Sequence, residues 1–331
     1  MNSRRLTDGA FARVLDSVPP AAGAEVMGTG IVSVALSLDG HETLSRILLF
    51  VAAVMWVTLA VLVSVRAARD RSRFLGDVRT PPALTSVAGT AVLGTRLTQL
   101  NWTWAGIGLL VIALVLWCAL LRPVLSNWKT PTVGASLILT VSTESLAVLA
   151  ASLALPEHSR WLLVASLVPF ALGLCFYAFV ISRFDLHQLW VGHGDHWITG
   201  GALAISTLAA GKLSGGAKAL ATLGGGGGAL RDVTVGLWIL TMLWLPVLLL
   251  AEVLRPRLRY DVRRWATVFP FGMYAACSFV VGLVAHAGAI TSFAQVWTWL
   301  ALAVWVVVFV AMLRRTVDIL GAARHQRALG P

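Results

Sequence analysis

Acidic side chains are rare in this chain: Asp and Glu number 15 among 331 residues, and charged residues of both signs make up only 12%. A soluble domain carries roughly a quarter, so this deficit excludes an ordinary water-soluble globule. Hydrophobic residues at 58% point instead to an integral membrane protein. Cysteine is almost missing too. Cys118, Cys175 and Cys277 lie in apolar runs without metal-ligand spacing, and read as small apolar fillers rather than a disulfide or zinc site. The chain also lacks a nucleophile–base pair, a metal-ligand cluster and a cofactor fingerprint. No catalytic residue, metal or cofactor is therefore assigned, and a membrane-embedded enzyme is the least supported class. The "GGGGG" run at 224–228 has no Lys-Ser/Thr or helix start in the register of a phosphate loop, and reads as a flexible linker. The net charge of +11 excludes little by itself. Its carriers sit between apolar runs, which argues against a nucleic-acid partner.

What is abundant is apolar sequence in lengths of about 20 residues, the run a helix needs to cross a bilayer. That ruler gives ten spans, at 24–38, 44–65, 80–98, 102–121, 130–153, 160–182, 197–214, 231–253, 264–286 and 293–316. The first is short, and the third and seventh are weakly apolar. Residues 1–23 carry Arg4, Arg5, Asp8, Arg13 and Asp16 with no apolar core, so they read as a cytoplasmic tail rather than a leader peptide. They could also form an amphipathic helix through Leu6, Phe11, Val14, Leu15 and Val18. Residues 24–316 form the transport domain and 317–331 a second cytoplasmic tail. An N-in orientation puts 20 of the 26 basic residues on the cytoplasmic side, including Arg66, Arg69, Arg71, Arg73 and Arg79 and the cluster from Arg255 to Arg264. The positive-inside rule then predicts both termini in the cytoplasm of a cell that carries the protein in its plasma or inner membrane.

The spans alternate in composition. Odd spans hold 23 Ser and Thr and ten Gly, against ten and four in the even spans. Breakers recur in the odd set: Gly28 and Gly30, Pro81 and Pro82, Pro131 and Gly134, Gly200 and Gly201, Pro270 and Gly272. Small and hydroxylated residues let helices approach closely, and a broken helix is tolerated beside a water-filled cavity. Odd helices facing one another around a polar path, with even helices shielding them from lipid, would account for the order. Tight packing without a pore would account for the composition alone.

Four motifs carry a resemblance: "MGTGIVSVAL" at 27–36, "STESLAVLAA" at 142–151, "HWITGGALAIS" at 196–206 and "WATVFPFGMYA" at 265–275. All fall in odd spans, and together they resemble the tellurite-resistance/dicarboxylate transporter family. That family includes yeast malate permeases, fungal sulfite efflux pumps, bacterial tellurite-resistance protein A and the plant slow-type anion channels. The resemblance implies an all-α membrane protein of ten transmembrane helices, arranged as five hairpins in quasi-fivefold order. Odd helices would line a central pore, even helices would lie outside, and three protomers would form a homotrimer. It implies transport of small inorganic or organic anions, as a channel or a C4-dicarboxylate carrier of the malate type. A proton-coupled exporter of sulfite or tellurite-related oxyanions is the alternative.

The family's gate is a phenylalanine on the ninth span. Its Phe-Pro pair matches Phe269 and Pro270 here, with Phe271 left as a neighbouring possibility. The candidates for the pore lining are Gly28, Thr29, Gly30, Ser33, Thr90, Gly94, Thr140, Thr143, Glu144, Gly201 and Ser206. Glu144 is the only acid deep inside a span, and such a group is a functional candidate by default. It could carry a proton in symport, pair with a cation, or simply bond to Thr140 or Ser145. Arg96 near the end of the third span could attract anions or reach for the interface. His187, His193, His196 and Asp195 cluster between spans six and seven without a standard metal spacing, and His286 reads as interfacial.

Overall fold

The computed structural model describes residues 18–191, 194–222, 226–256 and 260–328. Most of the expected N-terminal tail, His193, Gly224 and Gly225 of the glycine run, Arg257 and Arg259 lie outside the described residues. Long helices occupy all ten expected positions: α1 (Gly23–Leu38), α2 (Glu42–Arg69), α3 (Thr85–Gln99), α4 (Thr103–Ser126), α5 (Ile138–Ala154), α6 (Arg160–Ile181), α7 (Ile198–Ala219), α8 (Gly226–Leu254), α9 (Trp265–Ala285) and α10 (Gly288–Ala328). Eight of the described helical segments are long and apolar enough to cross a membrane. The two that fall short are α3 and α7. At 15 residues α3 extends only about 22 Å, and α7 carries five glycines and two lysines among its 22 residues. The tenth helix runs on to Ala328, past the boundary at 316 that hydropathy suggested.

Each odd helix packs along the even helix that follows it, giving five hairpins. The odd helices also pack on one another in sequence, α1 on α3, α3 on α5, α5 on α7, α7 on α9, and α9 back on α1. That closes a ring of five parallel helices.

Every member of the ring starts the same way. A single 3-10 turn leads in: Pro20–Ala22, Pro81–Leu84, Gly134–Leu137, Asp195–Trp197 and Val262–Arg264. Four of the five neighbouring pairs of these turns pack against each other, all but Asp195–Trp197 with Val262–Arg264. The approach is close, because a Cβ on Gly134 would run into the backbone carbonyl of Asp195. Several breakers read from the odd spans therefore serve the start of the helix, where a missing N–H costs nothing. Pro270 is different. It lies inside α9, and its ring fills the space that Gly201 on α7 leaves by having no side chain. Prolines also sit inside α4, α6 and α8, at Pro123, Pro169 and Pro246.

Candidate functional site

Five helices around an axis must fill it, and here they almost do. A cavity of about 10 Å³ lies among Ile31 and Val34 of α1, Val92 and Thr95 of α3, Ser145 and Val148 of α5, Ile205 and Leu208 of α7, and Met273 of α9. It has room for about one water. Thr95 and Ser145 turn their hydroxyls back to the carbonyls of Ala91 and Ser142, so the wall they leave is largely apolar. A space of this size and lining has no room for a hydrated ion.

The helical repeat places Phe269 one turn before Met273 on the same face of α9. Its ring is fully buried. Phe271 lies on another face, where its ring sits 4.7 Å from Trp197 and stacks at 5.3 Å on Trp297 of α10. Three residues adjacent in sequence thus have three different neighbours: the axial face for Phe269, Gly201 of α7 for Pro270, and the outer helix for Phe271.

None of the eleven lining candidates is among the residues around the axial cavity. Most of the hydroxyls turn outward. The indole N–H of Trp305 donates to Thr29 at 3.0 Å, that of Trp56 to Thr90 at 2.8 Å, and that of Trp117 to Thr143 at 2.9 Å. Trp238 donates to Ser278 in the same way at 2.9 Å. Each of these bonds joins an even helix to the next odd helix of the ring, and together they tie four of the five seams. An indole N–H buried away from water needs an acceptor, and a threonine already bonded to its own helix still offers a lone pair. Ser33 likewise exchanges bonds with Ser45 of α2, its hydroxyl donating to the Ser45 carbonyl at 2.6 Å. The glycines serve helix contacts: Gly28 faces Trp265 and Val268, Gly30 faces Val92, Gly94 faces Leu149 and Leu109, and Gly201 faces Pro270.

The fifth seam, between α6 and α7, is built from Glu144. Its Oε1 accepts from Ser206 on α7 at 2.9 Å. Its carboxyl lies against Gly173 of α6, where a Cβ would fall 2.6 Å from Glu144 Cδ. The partner is thus neither Thr140 nor Ser145, the two neighbours expected from sequence. Oε2 of Glu144 and Oγ1 of Thr140, one turn away, are both buried without a partner.

The profile of the voltage-dependent anion channel family matches residues 17–313 of this chain. The chain belongs to that family. The match bears out the resemblance read from the four motifs, and it makes the chain a multi-pass membrane protein of an anion-transport family rather than of an enzyme family. Two uncharacterized membrane proteins from strains of Mycobacterium tuberculosis are each 33% identical to it over 144 residues, covering 41% of this chain and 71% of theirs.

Within this channel-family fold, Arg96 is 1% exposed, enclosed inside the α1–α2–α3 contact rather than reaching outward. Its Nε donates to Ser45 Oγ at 2.8 Å and a terminal nitrogen to Glu42 at 2.7 Å. Sequence reading missed this, although Glu42 and Ser45 one turn apart at the start of an apolar span were the available signal. His196 sits 3.8 Å from Glu252, which also accepts from Trp197 and Arg264. No group of three metal-ligating side chains occurs among the described residues. The three cysteines are free, and His286 is exposed at the end of α9.

Proposed function

We propose that this protein is a gated channel for small monovalent inorganic anions, with the axis of the five-helix ring as its path. The observation that carries the reading is the axial constriction itself, contributed by every odd helix and closed to about one water. All ten long helices would span the bilayer. The two that hydropathy leaves out, α3 and α7, are enclosed by neighbours and need not face lipid. Both termini would be cytoplasmic, and each protomer of a homotrimer would carry its own path.

Phe269 is the proposed gate. It shares the Met273 face, and a phenylalanine has two torsions by which to swing its ring aside, whereas Phe271 is held between Trp197 and Trp297. In planar bilayers containing the purified protein, Phe269→Ala is expected to raise anion conductance several-fold and Phe271→Ala to leave it near the parent level. Unchanged current in the first variant, with a rise in the second, would move the gate to Phe271.

The apolar wall favours weakly hydrated anions such as nitrate over divalent dicarboxylates, because every charge stripped of water must be repaid by the wall. The channel reading also draws support from Glu144, which is committed to the α6–α7 seam. A proton-coupled carrier for malate, or an exporter of sulfite or tellurite-related oxyanions, would require that carboxyl to load and unload a proton with each cycle. Uptake into proteoliposomes that follows an inward proton gradient and collapses in Glu144→Gln would favour the carrier.

A further inference from the structure

One cation on the ring has no role in the seams. Lys212 lies on α7 four residues beyond Leu208 and seven beyond Ile205, which puts it on the axial face one turn past the cavity. It is half-buried and, among the described residues, makes no ion pair or hydrogen bond. Because the ring helices run parallel, the same step of four residues leads from Thr95 to Gln99 on α3 and from Val148 to Ser152 on α5. Both of those side chains carry a buried polar atom with no partner, Gln99 Oε1 and Ser152 Oγ. Ser152 is only 6% exposed. Three inner helices thus direct polar groups without protein partners toward the same end of the axis, just where the apolar constriction stops.

A lysine that reaches for the membrane surface belongs on a lipid-facing helix, with its stem along apolar side chains. Lys212 is on the most enclosed set of helices and on their inward face. Buried hydroxyls and amides are normally satisfied, so unpartnered ones around a cation imply a ligand that supplies what is missing. An anion does so. It accepts from the ammonium and from the Ser152 hydroxyl, and a half-turn of the Gln99 amide offers it an N–H as well.

We propose that Lys212, Ser152 and Gln99 form an anion-capture site in the vestibule at the C-terminal end of the inner helices, loading a small inorganic anion such as chloride or nitrate before it meets the constriction. The site rests on the axial-path reading above. A single fixed charge in a narrow, low-dielectric mouth raises the local anion concentration and hence the rate of capture. In the proposed orientation this mouth faces outward.

The test is single-channel recording in the Phe269→Ala background, comparing Lys212→Gln and Lys212→Arg with the parent in chloride. At about 0.1 M salt, where screening extends to about 10 Å, Lys212→Gln should lower conductance roughly threefold, mainly for anions arriving from the C-terminal end of the ring. At about 1 M, with screening down to about 3 Å, the difference should vanish. Lys212→Arg should conduct like the parent. Equal conductance of Lys212→Gln and parent at low salt would overturn the site, and so would a loss that persists at high salt or is the same from both sides. A parent channel that passes no anion in any background would instead bring down the axial-path reading, and this site with it.

Discussion

Segment Glu42–Arg69 has a mean hydropathy of 2.7 and only 17% of its core window buried, whereas Gly134–Ala154, at 1.8, is buried over its whole window. In a water-soluble protein the ranking would be reversed, because apolar side chains go where water is not. Here the outer helices present Phe50, Val168 and Val307 at 68–70% exposure, and lipid is the solvent that accepts them. The inner helices are shaped by a different requirement. Enclosed on all sides, they need small residues to approach, hydroxyls to satisfy their neighbours, and a shared axis. Hydropathy therefore finds α2 and α10 easily and underrates α3 and α7, two of the enclosed inner helices.

The sharpest way to break this contrast is to put the same methyl group in both layers. At Gly134 an added Cβ would meet the Asp195 backbone carbonyl, which cannot rotate away, where neighbouring lead-in turns touch. Gly134→Ala is expected to cost about 3 kcal/mol or more and to abolish a monodisperse peak in size-exclusion chromatography of detergent-solubilised protein. Gly108 on α4 has nothing within 4 Å of its missing Cβ, so Gly108→Ala should stabilise by up to about 1 kcal/mol through helix propensity. Equal melting temperatures for the two variants would show that the inner ring is not tightly closed.

A smaller effect probes the ion pair that bridges the layers. Arg96 belongs to the inner α3 and is 1% exposed, while Glu42 on α2 is 40% exposed and also holds Arg46 at 2.9 Å. Removing the acid strands a buried cation, at a cost of about 3 kcal/mol. Removing the cation leaves a carboxylate that keeps Arg46 and water, so solvent screening limits the loss to about 1 kcal/mol. Thermal unfolding should therefore rank Glu42→Gln well below Arg96→Gln. The opposite ranking would mean that Arg96 is not enclosed.

Much of the layered fold was legible in the sequence, because composition reports which helix is enclosed. Alternation of Ser, Thr and Gly with bulky aliphatics separated the inner helices from the outer ones, and the motif at 265–275 located Phe269. The faces of those helices were not legible. Thr29, Thr90 and Thr143 looked like lining for a polar path, yet each bonds an indole on an outer helix. Two positions further along each helix stand Ile31, Val92 and Ser145, the residues at the axial cavity. A rotation of 200° separates the two sets, and composition is blind to rotation. The available signal lay in the even spans, where Trp56, Trp117, Trp238 and Trp305 each required an acceptor. Glu144 was legible as exceptional but not as a seam, because only the absence of a side chain at Gly173 makes room for it.

The seams also make the gentlest prediction. Trp117 and Trp104 lie on the same helix, α4, yet Trp117 donates to Thr143 while Trp104 is 75% exposed. Replacing either indole by a phenyl ring keeps most of the apolar surface and removes the N–H. A double-mutant cycle of Trp117→Phe with Thr143→Val should give a coupling of about 0.6 kcal/mol, the average for hydrogen bonds between membrane helices. Trp104→Phe combined with the same Thr143→Val should give none. Coupling in both cycles would assign the effect to the aromatic ring rather than the bond. Coupling in neither would mean that the even helices are held to the ring by packing alone, with the indoles contributing only their area.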